Sequence, residues 1–261
     1  MTDDFTLRFQ EKGRGIPVLL IHGFPFSSQM WARQLDSWSD QARSVAPDLP
    51  GFGDSPVIHE AFSVEQYAES CLAVLDALDI LEPTVIGGLS MGGYVSLAFA
   101  RLYPERVRAL MLFSTRAGAD SLEGKANRDK TIAQVREHGA VAVTEAMYPK
   151  LLAPATYVEK PAAAAELQDI MRTASPEGII GALKAMRDRP DSTNYLREIS
   201  VPTLIIHGRQ DAVIPPSEAQ AMAEPIANSE LHLVDNAGHL LNLEQPDEFS
   251  RIVSTFLQSL M

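Results

Sequence analysis

Hydrophobic and polar positions follow two rhythms along this chain. Phe5, Leu7 and Phe9 alternate with polar residues, a period of two that predicts an early half-buried strand. Gly13 and Gly15 supply a turn. Ile16 to Ile21 is then a continuous apolar run, which predicts a central strand covered on both faces. It runs into a tight loop, His22-Gly23-Phe24-Pro25. Ser27 or Ser28 is placed to cap a helix reaching about Trp38, and Arg43 to Ala46 predicts a short strand. Asp48 to Ser55 is a turn-rich loop. Ser63, with Gln66 three positions on, forms a capping box for a helix from Val64 to about Leu78. Thr84, Val85 and Ile86 lead into a glycine-rich turn, a helical run leaves it from Tyr94 to Arg101, and Pro104 stops that helix. Val107 to Phe113 is another apolar strand.

Strand and helix alternate to this point, which implies a mostly parallel sheet with helices on both faces. The rhythm breaks between about Ala117 and Tyr195, where strand signals vanish and Ala, Glu, Lys and Met dominate. Four helical segments are predicted there: Ser121 to His138, Val141 to Leu151, Ala155 to Thr173, and Pro176 to Arg187. Pro154, Pro176 and Pro190 punctuate them. So long a stretch without a strand is no single crossover helix, so residues 117–195 read as a helical cap inserted into a core of residues 1–116 and 196–261. The sheet resumes with Val201 to Ile206. A helix from Pro216 to Glu224, a strand from Glu230 to Val234 and a closing helix from Pro246 to about Leu260 complete the pattern.

Composition narrows the classes. The chain has 261 residues, 46% of them apolar, enough for one large α/β domain with an insertion. Its net charge of −12 argues against nucleic acid or an anionic membrane as partner. No run is long or pure enough to span a membrane, and Met1-Thr2-Asp3-Asp4 lacks the basic and apolar regions of a signal peptide. One cysteine, Cys71, allows no internal disulfide and fits a reducing cytoplasm; among Ala68, Leu72 and Leu75 it reads as a buried filler. There is no G-x-G-x-x-G and no Walker lysine, so no nucleotide cofactor is expected, and His59, His138 and His232 have no metal-ligand spacing.

The chemistry centres on Gly88-Leu89-Ser90-Met91-Gly92. A G-x-S-x-G between a strand and a helix fits a nucleophile elbow, in which small residues let strand and helix approach while the serine hydroxyl is lifted clear. Ser90, Asp211 and His239 each fall in the loop just after a predicted strand. In a parallel sheet such loops share one edge, so residues distant in sequence converge. Serine needs an adjacent base, and the base needs an orienting acid. His239 would take the Ser90 proton, and Asp211 would hold the histidine tautomer, with Asp235 as the second choice for that acid. The backbone N–H groups of Met91 and Phe24 would form the oxyanion hole. His22 and His207 read as structural hydrogen-bonders, and Asp48, Gly51, Gly53 and Ser55 as shaping a turn beside the pocket.

His22-Gly23-Phe24-Pro25, Asp48-x-x-Gly51-x-Gly53-x-Ser55, Gly88-Leu89-Ser90-Met91-Gly92-Gly93, His207-Gly208-x-x-Asp211 and Gly238-His239 stand in the order found in the α/β-hydrolase superfamily, which the chain resembles over essentially its whole length. Within it the chain is similar to small carboxylesterases and enol-lactone hydrolases. The resemblance implies an α/β fold with a mostly parallel, eight-stranded-type sheet, and a lid where the helical insertion lies. It also implies a serine hydrolase of small ester or lactone substrates, for which the single cysteine suggests a cytoplasmic setting. The Phe24-Pro25 loop is also seen in epoxide hydrolases and haloalkane dehalogenases, but those use an aspartate where this chain has Ser90. Two other readings remain open: C–C bond hydrolysis with the same three residues, and a slow-turnover ligand receptor. The insertion is nearly balanced in charge, so the acidity sits in the core, and a neutral, apolar substrate is expected. A carboxylate-bearing substrate would need a dedicated cation, for which Arg116 is the one candidate, against a surface role.

Overall fold

The computed structural model describes residues 7–57 and 63–261. Phe5 and His59 lie outside them. Seven strands form one sheet: β1 (Phe9–Gly13), β2 (Ile16–Ile21), β3 (Ala42–Pro47), β4 (Thr84–Leu89), β5 (Val107–Phe113), β6 (Thr203–Gly208) and β7 (Ser229–Val234). Their spatial order is β1-β3-β2-β4-β5-β6-β7. Every pairing is parallel except that of β1 with β3. Seven strands are found among the described residues, against the eight that the resemblance implied. The N-terminal alternation makes one strand that starts at Phe9, later than the pattern suggested. Ahead of it, Arg8 is occupied by the Asp48–Ser55 loop: its N–H donates to Ser55 Oγ at 2.8 Å and its carbonyl accepts from Asp48 N–H at 2.8 Å.

The helices of the first half are α1 (Ala32–Ser37), α2 (Val64–Ala77) and α3 (Met91–Leu102). A 3₁₀ turn, Ser28–Trp31, takes the first half of the single helix expected before Trp38. The capping box forms as the spacing predicted, with Ser63 Oγ accepting from Gln66 N–H at 3.2 Å. Between β5 and β6 lie α4 (Leu122–His138), α5 (Val141–Leu151), α6 (Pro154–Glu159), α7 (Pro161–Met171) and α8 (Pro176–Asp188). The expected helix from Ala155 to Thr173 is thus two. Pro161 has no N–H to donate and forces Lys160 out of the helical region, to φ −128° and ψ 60°. After β6 come α9 (Ser217–Ala223), a short α10 (Leu241–Glu244) that the pattern did not announce, and α11 (Pro246–Ser259).

Two buried clusters lie on opposite faces of the sheet. Along β2, Val18 and Leu20 join one while Leu19 and Ile21 join the other, as strict alternation in a doubly covered strand requires. Helices α2, α3 and α9 cover the Leu19 face, and α1 and α11 the Val18 face. On the latter, Phe249 of α11 packs edge-on against Phe113 with ring centroids 4.8 Å apart, and stacks on Trp31 at 6.3 Å. Cys71 sits fully buried in the α2 layer, where burial pushes its thiol up to about 12, so it is inert filler. No described helix is long and apolar enough to cross a membrane.

Because β2, β4, β6 and β7 run parallel, the loops leaving their C-terminal ends share one edge of the sheet. Those loops carry Phe24, Ser90, Asp211 and His239. The helices between β5 and β6 reach the same edge: Ser175 donates from both N–H and Oγ to Gly51 O, at 3.1 and 2.9 Å.

Candidate active site

Ser90 occupies the turn between β4 and α3 with φ 55° and ψ −113°, a conformation that costs a non-glycine residue about 1–3 kcal/mol. The surroundings hold it there. Its N–H donates to Phe113 O at 2.9 Å, and its carbonyl accepts from Gly93 N–H at 2.9 Å and Thr115 Oγ1 at 2.8 Å. The flanking glycines are required by contact. A Cβ on Gly88 would meet Gly92 O at 2.1 Å, and one on Gly92 would meet Ile21 O at 2.1 Å. The sharp turn leaves the serine at the start of α3, whose first N–H groups have no carbonyl before them within the helix.

Asp211 and His239 meet although 28 residues separate them, with His239 Nδ1 2.8 Å from Asp211 Oδ2. The contact is built into the backbone: a Cβ on Gly208 would lie 2.1 Å from Gly238 O, so only glycine lets the two loops close. Gln210 N–H donates to Ala237 O at 2.9 Å and ties them further. The second carboxylate oxygen of Asp211 accepts from Val213 N–H at 2.8 Å and Ile214 N–H at 2.9 Å. Burial pushes the Asp211 carboxyl up, but the nearby His239 and the hydrogen bonds from His207, His239 and Ile214 outweigh it and hold the group well below the usual carboxylate range. With Nδ1 facing a carboxylate, His239 carries its hydrogen there, and its buried Nε2 has no partner among the described residues. Asp235, the other acid considered, is elsewhere: its side chain is 77% exposed and pairs with Arg209 at 2.8 Å.

The loop after β2 lies against the elbow, since a Cβ on Gly23 would stand 3.1 Å from Leu89 O. Phe24 is buried and packs edge-on against Phe52, and the Phe24–Pro25 peptide is cis. The bonds that hold the two turns run from Phe26 N–H to Gly23 O at 3.0 Å and from Gly93 N–H to Ser90 O at 2.9 Å, so they use neither the Phe24 nor the Met91 N–H. His22 anchors the loop from below. Its Nε2 accepts from Leu49 N–H at 2.9 Å and its Nδ1 donates to Gly23 O at 2.8 Å. Burial lowers its pKa against the opposing pull of Gly23 O and Asp48, which suits a neutral strut. Asp48 braces the neighbouring turn, accepting from Ser28 N–H at 2.7 Å and Asp54 N–H at 3.0 Å.

Two further charged groups have defined partners. Arg116 is no free cation. Its guanidinium donates to Asp120 Oδ1 at 2.5 Å, and Asp120 also binds Arg128 at 3.0 Å and Arg189 at 2.8 Å. Burial pushes the Asp120 carboxyl up, yet Arg128 and Arg189 hold it below its ordinary value. Arg189 lies 4.0 Å over the Tyr94 ring of α3 and donates to Gly118 O at 2.7 Å, so this cluster ties the segment ahead of α4 to the end of α8 and to α3. The second is Glu244, which no sequence motif marked. Its buried carboxylate accepts from Gly238 N–H at one oxygen, and from Ala153 N–H and Thr156 Oγ1 at the other, all at 2.7 Å. It joins the histidine loop to the start of α6, and His239 N–H donates to Leu151 O at 3.0 Å beside it. The only signal in the sequence was an acid five residues past the histidine, ahead of Pro246.

A serine on a strained strand-to-helix turn, with an acid–imidazole pair on loops at the same edge of a parallel sheet, is the framework of a hydrolase. The chain belongs to the α/β-hydrolase family: the model of the alpha/beta hydrolase fold matches residues 16–246. It is similar to a thermophilic esterase from Thermogutta terrifontis, with 39% identity and a TM-score of 0.95 over 97% of this chain and 93% of that one. It also resembles the enol-lactonase from Burkholderia xenovorans LB400, with 26% identity and a TM-score of 0.89 over 97% and 96%. A 2-hydroxy-6-oxo-2,4-heptadienoate hydrolase from Pseudomonas putida is 31% identical, over 94% of this chain and 90% of the relative.

Proposed function

We propose that the protein is a serine hydrolase of carboxylic esters or lactones, acting through an acyl-enzyme, with residues 117–195 as its lid. The observation that carries this reading is the Asp211–His239 contact at 2.8 Å, with the opposite imidazole nitrogen left free at the edge where Ser90 stands. In the reaction, Ser90 Oγ attacks the ester carbonyl as His239 Nε2 takes its proton. The oxyanion that forms is received by the Met91 and Phe24 N–H groups, each worth about 3 kcal/mol in the transition state. The C–O bond to the leaving group then breaks, and the imidazolium returns the proton to the departing alkoxide. Water, deprotonated by the same nitrogen, attacks the acyl-enzyme; the bond to Ser90 Oγ then breaks, that oxygen takes the proton back from His239, and the acid is released. Asp211 stays ionised throughout and stabilises the imidazolium.

C–C bond hydrolysis is the second reading, favoured by the Pseudomonas putida relative. Its name denotes a carboxylate substrate, whereas the one cation considered for such a group here is held by Asp120. A neutral substrate therefore fits better. The test is steady-state hydrolysis of 4-nitrophenyl butyrate beside a dienoate bearing a C–C scissile bond. Sustained turnover of the ester is expected. A burst followed by silence would indicate a receptor, and turnover of the dienoate alone would transfer the protein to C–C chemistry.

The pH dependence has a definite sign. His239 must be neutral to accept the Ser90 proton, so kcat/KM for the ester is expected to rise with pH along an acidic limb. The Asp211 carboxyl is held low, so it remains charged through that rise and adds no second step. The acidic limb should fit one proton, with a limiting slope of about 1 in a logarithmic plot. A flat profile or a two-proton limb would count against this division of roles.

A further inference from the structure

Asp211 meets two imidazoles, and the mechanism above uses one. His207, the fifth residue of β6, is completely buried. Its Nε2 lies 2.8 Å from Ile214 O and 3.1 Å from Asp211 Oδ2, the same oxygen that faces His239. Both neighbours are acceptors, so Nε2 carries the hydrogen. Its Nδ1 is buried with no partner among the described residues, so the ring acts through Nε2 as a donor. The arrangement around the acid is complete. Oδ1 is held by the N–H groups of Val213 and Ile214, and Oδ2 by one imidazole from each side. Two N–H bonds to Oδ1 leave the carboxyl plane free to swing about them, and the two imidazoles on Oδ2 together limit that swing.

We infer that His207 is a positioning residue for the acid: it fixes the direction in which Asp211 presents Oδ2 to His239 and takes up part of that oxygen's charge. This rests on the assignment of Asp211 and His239 made above. The same ring, through Ile214 O, also ties the carboxylate to the loop that donates to Oδ1. The acid's four donors therefore behave as one unit seated on the end of β6.

The charge argument sets the sign of the expected effect. Without the His207 donor, Oδ2 keeps more of its charge and holds the His239 imidazolium more strongly. His239 then stays protonated to higher pH, and its partner is less well aimed.

The test is a pair of nearly isosteric variants. His207→Gln keeps an N–H donor at the Nε2 position, and His207→Met fills the same space without one. In His207→Met, kcat for 4-nitrophenyl butyrate is expected to fall about tenfold, as for a modest misplacement. The acidic limb of kcat/KM should move up by roughly half to one pH unit. His207→Gln should keep the wild-type limb and kcat within about twofold. If His207→Met does not fold, as judged by its thermal melt, His207→Phe provides the donor-free comparison. A limb that stays in place or moves down in a folded donor-free variant overturns the inference, as does a Gln variant no better than the donor-free one. Asp211→Asn, run alongside, separates the two levels. If it loses activity while the donor-free His207 variants keep theirs, only the role of His207 falls; if it keeps activity, the assignment of the acid falls first.

Discussion

Ser90→Ala is expected to lower kcat for an ester substrate by about 10⁵ to 10⁶ while leaving the fold intact. The loss is that large because nothing else can be acylated: His239 would have no hydroxyl to activate, and the two N–H donors would receive no oxyanion from a bound nucleophile. Folding should survive because the bonds that hold the elbow are made by the backbone of Ser90. Its N–H reaches Phe113 O and its carbonyl serves Gly93 and Thr115, whichever small side chain it carries. Alanine also keeps the Cβ that the 55° φ already accommodates. Steady-state kinetics together with a thermal melt on the same preparation make the measurement. Residual activity above about a hundredth of wild type in well-folded protein would remove Ser90 from the role of nucleophile.

Asp211→Asn should cost about 10⁴ in kcat, and the geometry says why. The N–H groups of Val213 and Ile214 cannot turn away, so the asparagine oxygen must stay with them. Its NH₂ then points at His239 Nδ1, which has to become an acceptor. The imidazole hydrogen moves to Nε2, the atom that must take the Ser90 proton, and the base is blocked. Asp235→Asn removes only an exposed pairing with Arg209 and should stay within about twofold, since such surface pairs contribute little. Kinetics of the two variants at one pH distinguish the candidates; the reverse ranking would give Asp235 the role.

What the sequence carried best were elements whose signal is local. The strands Ile16–Ile21 and Val107–Phe113 and the helix Val141–Leu151 have the same bounds in the structure as in the hydrophobic pattern. A strand covered on both faces must be apolar throughout, and a cap or a proline acts on its immediate neighbours. The elbow was legible for the same reason: glycines on either side of Ser90 are forced by contacts within one turn and with the adjoining strand. Pro161 is also a local signal, and it divides into α6 and α7 what the hydrophobic pattern alone presents as one helix.

Tertiary structure alone decided which charges and rings meet. Asp211 and Asp235 both stand in loops after strands, and the sequence ranks Asp211 first without showing the contact that decides it. The parallel pairing of β6 with β7 and the contact of Gly208 with Gly238 bring the first to His239 and leave the second at the surface. Arg116 read as a possible substrate cation because its sequence neighbours do not reveal Arg189, 73 positions away, sharing Asp120 with it. Glu244 was silent as a motif for the same cause, and the motif that contains His207 does not show that its ring reaches Asp211. Hydrogen bonds are short and directional, so the value of a polar side chain is set by atoms brought within about 3 Å of it. The order of residues along the chain encodes those distances only through the complete fold.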